Sequence, residues 1–491
     1  MPEAQVTNEM AAPFQANGRL RLFIAGNWRE GGDEAESAVC NPATTLATAR
    51  FRHASHSDLA AALAAAEQAF AHWRKTPALT RSDILRDAAR RLRGRAEAIA
   101  ACITTEQGKL LSEARGEVTQ AIETIEWYAE EARRIYGRVI PSRSDSSRML
   151  VLREPVGPVA AFTPWNFPVL TPARKIAAAL AAGCSCIIKP AEETPSACLH
   201  LAWALQEAGL PEGVLSVLLG SPDRISRALI ASAVIRKVSF TGSTAVGKHL
   251  AALAADGAKR LTMELGGHAP VLVLGDVDAQ ATAVAAAQAK SRNAGQVCVS
   301  PTRFYVQRNS YERFVEAFAA TATSLRLGNG LEAGTQMGPL ANARRPAAFD
   351  RLVDNARSQG ARVLQGGAPQ QGWFRPLAVV ADASEHLAGM NEEPFGPLAL
   401  IAPFETLDHA IVQANRLPYG LAAYAFTSDA RAMLRLSNEL ETGMLAFNAF
   451  NAFKVSTPEA PFGGVKDSGY GSEGGSEGLE AYLSTKFVHQ H

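Results

Sequence analysis

The stretch NAGQVCVS, Asn293 to Ser300, sets one cysteine among small and polar residues, after a helix-forming run and before the strand-like TRFYVQ. A cysteine in that place either fills a gap in a core or attacks an electrophile, and thiols do both. The peptidase surroundings CGSCW and QACRG are absent around Cys298, so proteolysis is not supported. Glu264, in MELGGHAP, stands beside two glycines that let backbone approach closely. A carboxylate there either activates water for a nearby thiol or is an ordinary surface acid. Asn166, in FTPWNFP, follows Trp165 in a turn stiffened by two prolines. Its amide is either aimed as an oxyanion donor or bonds its own backbone, as turn asparagines do. EEPFGP (Glu392–Pro397) supplies a further acid ahead of a rigid turn.

Two other stretches suit a nucleotide. FTGSTAVGKHL (Phe240–Leu250) reads as strand, Gly-Ser turn and helix start, with backbone amides at Gly242 and Ser243 in reach of a phosphate. It has neither the GxGxxG fingerprint nor a Walker sequence, since His249 follows Lys248. A plain strand–helix turn reads equally well. In KPAEETP, Lys189 and Glu192 come off the strand IIKP, placed to bracket a ribose or to lie in a solvated loop.

Composition narrows the class. The chain has 491 residues, 47% hydrophobic and 20% charged, as expected for a globular protein of two to four domains. Lys plus Arg (49) balances Asp plus Glu (48), so nothing calls for nucleic acid or an anionic membrane. No run approaches the roughly 18 apolar residues of a membrane helix. The opening MPEAQVTNEMAAPF lacks the apolar centre of a secretory signal, and a cytoplasmic location is expected. The six cysteines form no CxxC pair and the ten histidines no HExxH, so no metal site is expected.

The elements that must position these residues follow from periodicity. Residues 1–20 are expected to be disordered. Helices are expected from Ser57, as N-cap, to Trp73, from Thr80, as cap, onward through ITTEQG, and over GEVTQAIETIEWYAEEARRIYG. Beyond residue 152, short apolar strands (VGPVAAFTP, SCIIKPAEE, GVLSVLLG, IRKVSFTG) alternate with Ala- and Leu-rich helices, which calls for a parallel sheet covered on both faces. A second alternating block runs from APVLVLGDVD to AFNAF, placing a boundary near residue 265. The segment 131–152 and the tail GLEAYLSTKFVHQH alternate apolar and polar residues and are expected to form sheet together.

Taken together, PWNFP, KPAEETP, FTGSTAVG, MELGG, NAGQVC, EEPFGP and PFGGVKDSG stand in the order found in the aldehyde dehydrogenase superfamily, which the chain resembles from about residue 20 onward. The resemblance implies an α/β fold with a Rossmann-like dinucleotide-binding domain (1–130 and 153–265), an α/β catalytic domain (266–450) and a β-hairpin oligomerisation arm (131–152 and 451–491). It implies that Cys298 is the nucleophile, Asn166 an oxyanion donor and Glu264 the base for water, with Lys175 and Glu473 moving protons. It also places Lys189 and Glu192 on the adenosine ribose, Gly242 and Ser243 near the pyrophosphate, Glu393 on the nicotinamide ribose, and Thr163, Trp165 and Phe395 along the cofactor cleft. NAD is the expected cofactor, because a carboxylate at Glu192 repels a 2′-phosphate; NADP use stays open. Arg174, where many relatives carry tryptophan, resembles the succinate- and 2-oxoglutarate-semialdehyde dehydrogenase group and would hold a substrate carboxylate. Pairing with a structural acid is the alternative for Arg174. Phe450 and Phe453, in NAFNAFKVS, instead suit an aromatic or longer aldehyde. Ser300 excludes a second cysteine two residues from Cys298. A homodimer or homotetramer is implied. A coenzyme A-acylating relative is disfavoured by Glu264, and a catalytically silent protein of the same fold by Cys298, Asn166 and Glu264 together.

Overall fold

A computed structural model describes residues 12–365, 371–450 and 456–491. Its centre is two sheets. The first has eight strands in the order Gly469–Tyr470, Arg260–Glu264, Lys237–Thr241, Val159–Phe162, Cys186–Lys189, Leu215–Val217, Leu22–Ile24, Asn27–Arg29. The five strands from Arg260–Glu264 to Leu215–Val217 are parallel; both edges are antiparallel. Strands such as VAAF and CIIK are buried at every position, as strands covered on both faces must be. The second sheet has seven strands, parallel except for Arg362–Gln365 at one edge, with Ala269–Val273 and Pro301–Gln307 near its centre. Each sheet gathers its own apolar core; Leu265 packs in the first and Ala269 in the second. A three-stranded antiparallel sheet joins Leu483–Gln490, Arg148–Pro155 and Arg138–Ile140 within one chain.

Several local expectations are corrected. Residues 12–20 are ordered: Gln15–Ala16 pairs with Arg19–Leu20, and Phe14 is buried against Trp28, His200 and Trp203. Residues 1–11 lie outside the described part. The first long helix, His56–Trp73, is capped by Ser55 rather than Ser57. Asp58 stands three residues after Ser55, so its carboxylate accepts the Ser55 amide while the Ser55 hydroxyl accepts the Asp58 amide. Ser57 has no acid at that spacing. The next helix starts at Ala78 behind Pro77, before Thr80, and the expected single run splits into Ala78–Gly94 and Ala96–Gln107. The break falls at Arg95, whose guanidinium lies 3.5 Å from the Trp203 ring and pairs with Glu207. That tertiary anchor overrides local propensity.

Candidate active site

Between the two sheets opens a cleft of about 1000 Å³. Of the residues singled out in the sequence, Thr163, Trp165, Asn166, Arg174, Lys189, Glu192, Gly242, Ser243, Glu264, Cys298, Glu393, Phe395 and Glu473 all line it. Lys175 lies behind the wall and reaches it through an ion pair with Glu473. Phe453 falls outside the described residues, whereas Phe450 packs on Tyr424 and Phe426.

Cys298 is delivered by an unusual stretch of backbone. The helix Ala279–Ser291 ends, and Asn293, Ala294 and Gly295 follow with φ of 51°, 51° and 71°. Left-handed backbone at two non-glycine residues is costly and persists only where the surroundings fix it. At Gly295 a Cβ would come 2.2 Å from the Gly396 carbonyl oxygen, and at Gly267 a Cβ would come 2.5 Å from the Cys298 carbonyl oxygen. Glycines thus let the 264–267 and 396 backbones close around the cysteine loop. Burial pushes the Cys298 thiol up to about 12, and the Glu393 and Glu264 carboxylates add to the rise. Arg174 and the Val299 N–H act in the opposite direction.

Glu264 ends its strand with a buried side chain, and among the described residues neither carboxyl oxygen has a hydrogen-bond partner. Burial, and then the neighbouring Glu473 charge, hold its carboxyl well above the usual range. Glu473 differs: it pairs with Lys175, whose ammonium also donates to the Ser239 hydroxyl at 3.1 Å. Asn166 Nδ2 donates to the Gln296 carbonyl at 3.2 Å, which leaves its second N–H for another acceptor, and its Oδ1 has no partner among the described residues.

The other half of the cleft suits a dinucleotide. The Thr163 and Thr241 hydroxyls are buried without partners at the carboxyl ends of adjacent parallel strands, where open α/β sheets take ligands. Ser243 opens the twelve-residue helix Thr244–Ala255 with no side-chain cap bond, leaving the first amides available to a phosphate. Glu192 pairs with Lys189 and is still about one-third exposed. Glu393 accepts the Gly267 amide at 3.0 Å, and burial raises its carboxyl to about 7. Phe395, at φ 41°, meets Trp165 edge-on at 5.4 Å, while Arg345 holds the Pro394 and Phe395 carbonyls at 2.5 and 3.0 Å. Two acids spaced along the groove, a free helix start and orphaned hydroxyls fit two riboses joined by a pyrophosphate.

Arg174, on the fully buried helix Leu170–Ala182, donates to the Ser456 hydroxyl and lies 4.4 Å above the Phe462 ring. Among the described residues it has no acid partner, which speaks against the structural-pair alternative. Gln120 also donates to Ser456, at 3.1 Å. Sequence reading passed over Arg292, which lines the cleft beside Phe167 and acts electrostatically on Cys298. It also passed over Lys109, Glu113 and Glu117 beneath Asn166. Their signal, acids four apart in LSEARGE, reads locally as an ordinary helix face.

A doubly built α/β molecule with a dinucleotide groove leading to a cysteine defines a nucleotide-dependent oxidoreductase. The aldehyde dehydrogenase family pattern matches residues 28–488. The putative 4-(hydroxymethyl)benzenesulfonate dehydrogenase TsaD2 of Comamonas testosteroni is 53% identical over 95% of this chain and 97% of its own. The crystal structure of succinate-semialdehyde dehydrogenase from Burkholderia pseudomallei superposes with a TM-score of 0.93, at 38% identity over 96% of this chain and 97% of that one. Betaine aldehyde dehydrogenase from Staphylococcus aureus, crystallised with NAD+, gives 0.92 at 31% identity over 96% and 94%. The chain belongs to the aldehyde dehydrogenase family and has its fold. Its activity is that of an NAD(P)-dependent aldehyde dehydrogenase acting on a small aldehyde.

Proposed function

We propose that Cys298 adds to the carbonyl carbon of an aldehyde carrying a distal anionic group, and that the protein oxidises it to the acid with NAD. The observation that carries this is Arg174, a buried guanidinium on the cleft wall, hydrogen-bonded among the described residues only to a hydroxyl and a carbonyl. Cys298 first loses its thiol proton to water in the cleft; the thiolate then forms a C–S bond and the carbonyl oxygen becomes an oxyanion, which the free Asn166 N–H and the Cys298 backbone N–H hold. NAD, bound between Glu192 and Glu393, supplies a hydride acceptor. Loss of hydride leaves a thioester on Cys298. Glu264, once deprotonated, takes a proton from water as the hydroxide adds, and the Cys298 thiolate leaves with the acid released. Lys175 and Glu473 carry the proton away from Glu264. The Glu192 carboxylate supports NAD over NADP.

A carboxylate-bearing semialdehyde such as succinate semialdehyde is the first reading. An aromatic aldehyde bearing an anion is the second. It is favoured by Phe167 and Phe462 against the two guanidiniums and by the 53% identity to a sulfonated-benzyl dehydrogenase. Steady-state NADH formation from succinate semialdehyde, 4-sulfobenzaldehyde, benzaldehyde and hexanal, in the parent and in Arg174→Ala, tests both. We expect the anionic aldehydes to lead and to lose about 10- to 100-fold in kcat/KM on substitution, the worth of a charge-assisted hydrogen bond. Neutral aldehydes that lead and are untouched by the substitution would sink the anion assignment. The sulfonated aldehyde outrunning the semialdehyde selects the second reading.

The three-stranded sheet exposes Val139, Leu152 and Phe487, with Tyr136 exposed just before it, which supports a homodimer or homotetramer through that arm; a monomer by light scattering removes this part. Among the described residues no helix is long and apolar enough to cross a membrane. The proposed cytoplasmic location is checked by cell fractionation.

A further inference from the structure

The segment GKLLSEARGE, Gly108 to Glu117, lies outside the cleft wall, yet three of its side chains hold the backbone of that wall. The Lys109 ammonium is buried, donates to the Asn166 carbonyl at 2.7 Å and to Glu117 at 2.7 Å, and sits 4.3 Å from the Phe167 ring. The second Glu117 oxygen accepts the Val169 and Leu170 amides at 2.9 and 3.2 Å, at the start of the helix that carries Arg174 and Lys175. Glu113 accepts the Leu110 amide at 3.0 Å and, at 2.9 Å, the amide of Asn293, the first left-handed residue of the cysteine loop. Asn293 in turn donates to the same Asn166 carbonyl at 3.2 Å.

The geometry points to Lys109, supported by Glu117, as a positioning residue for the oxyanion donor: it fixes the Asn166 backbone and thereby aims the Asn166 amide at the carbonyl bound by Cys298. This rests on the role proposed above for Asn166. The physical reason is directional. A peptide carbonyl held by both an ammonium and an amide cannot rotate, so the side chain on the same residue keeps one heading. A buried charge pair is strongly oriented because neither partner has solvent as an alternative. An apolar contact in its place would fill space without fixing the carbonyl.

The test is a double-mutant cycle on the full-length protein with NAD and its best aldehyde: parent, Lys109→Met, Asn166→Ala and the pair. Lys109→Met/Glu117→Gln, which removes both charges together, is the second variant in case Lys109→Met leaves Glu117 unpaired and the chain unfolded. Asn166→Ala is expected to lower kcat about 100- to 1000-fold. Lys109→Met, or the charge-free double variant, is expected to lower kcat about 10- to 100-fold, the scale of an ångström-sized misplacement. KM for NAD should stay within about twofold, as should the rate of Cys298 alkylation by iodoacetamide. In the Asn166→Ala background the Lys109 change should then cost less than about threefold, because its target is gone. Full additivity, or a Lys109 variant that turns over like the parent, overturns the positioning role and leaves the Asn166 reading intact. An Asn166→Ala protein with parental kcat overturns both.

Discussion

Two sets of side chains around Cys298, three charged ones behind it and the cleft-facing groups in front, meet hydrogen-bonding partners in opposite ways. Behind, Lys109, Glu113 and Glu117 have partners on every side that matters: ammonium to carboxylate and carbonyl, carboxylates to four backbone amides. In front, both Glu264 oxygens, the Asn166 Oδ1, and the Thr163 and Thr241 hydroxyls are buried with no partner. Native proteins leave few such atoms, and each calls for a reason. Asn166 belongs to both, its carbonyl accepting two hydrogen bonds and its side chain half used. The lesson is a division of labour. Saturated polar groups set direction, and unsaturated ones wait where reactants enter, at a standing cost to the resting fold.

The contrast can be broken by substitution. Cys298→Ala removes the proposed nucleophile, and we expect steady-state NADH formation to fall by at least about 10⁴-fold, with melting temperature held or raised. Retained turnover would end the covalent mechanism. Glu264→Gln spares addition but not hydrolysis. Rapid mixing should show one equivalent of NADH released at near-parental rate, followed by turnover slowed about 10²- to 10⁴-fold. Loss of the burst together with turnover would move Glu264 to the first half of the reaction.

The pH dependence sharpens the same point. Burial raises the Cys298 thiol to about 12 and holds Glu264 well above its usual range, and in the proposed roles both must lose a proton. The deprotonated fraction of each therefore grows with pH, and from pH 6 to 9 kcat/KM should climb with Cys298 and kcat with Glu264. A profile flat or falling over that span contradicts the assignment. The stability sign is the reverse. Folded-state values above the unfolded ones contribute stability that is present below the unfolded pKa and lost as pH rises through the folded value. For Glu264 that means a resting protein that loses stability above acid pH as its carboxyl ionises. The smallest expected effect is Thr241→Val: a hydroxyl with no partner should leave stability within about 0.5 kcal/mol, and KM for NAD should rise a few-fold. A large loss of stability with unchanged KM would mean the hydroxyl serves the fold.

The sequence was most readable where chemistry is local. The motifs around Cys298, Glu264 and Asn166 and the alternation of strands with helices need only neighbours in the chain, and the resemblance they carry names the family. It was least readable where one residue acts through another far away. Lys109 means nothing until Asn166 is brought to it across 57 positions, and Ser456 gains its role only when Gln120 and Arg174 converge on it. Ser57 and Thr80 failed as caps because the correct choice depended on which neighbour's carboxylate came into register, and on a proline that already started the next helix. Residues 12–20 looked structureless because their strands are two residues long and are stabilised by partners such as Trp203.

The strand bearing Glu264 is bordered on its outer side by Gly469–Tyr470, and the same tail segment supplies Glu473. Some 200 residues, including the whole second sheet, separate the two partners in the chain. On a ribosome adding about 5 to 20 residues per second, the first sheet emerges with a bare edge for on the order of 10 to 40 s. For that interval the nascent protein displays open backbone donors and acceptors beside Glu264, a docking place for a holdase or for a neighbouring nascent chain. Growth conditions that slow translation should therefore raise the misassembled fraction more sharply than the melting temperature of the finished enzyme would suggest.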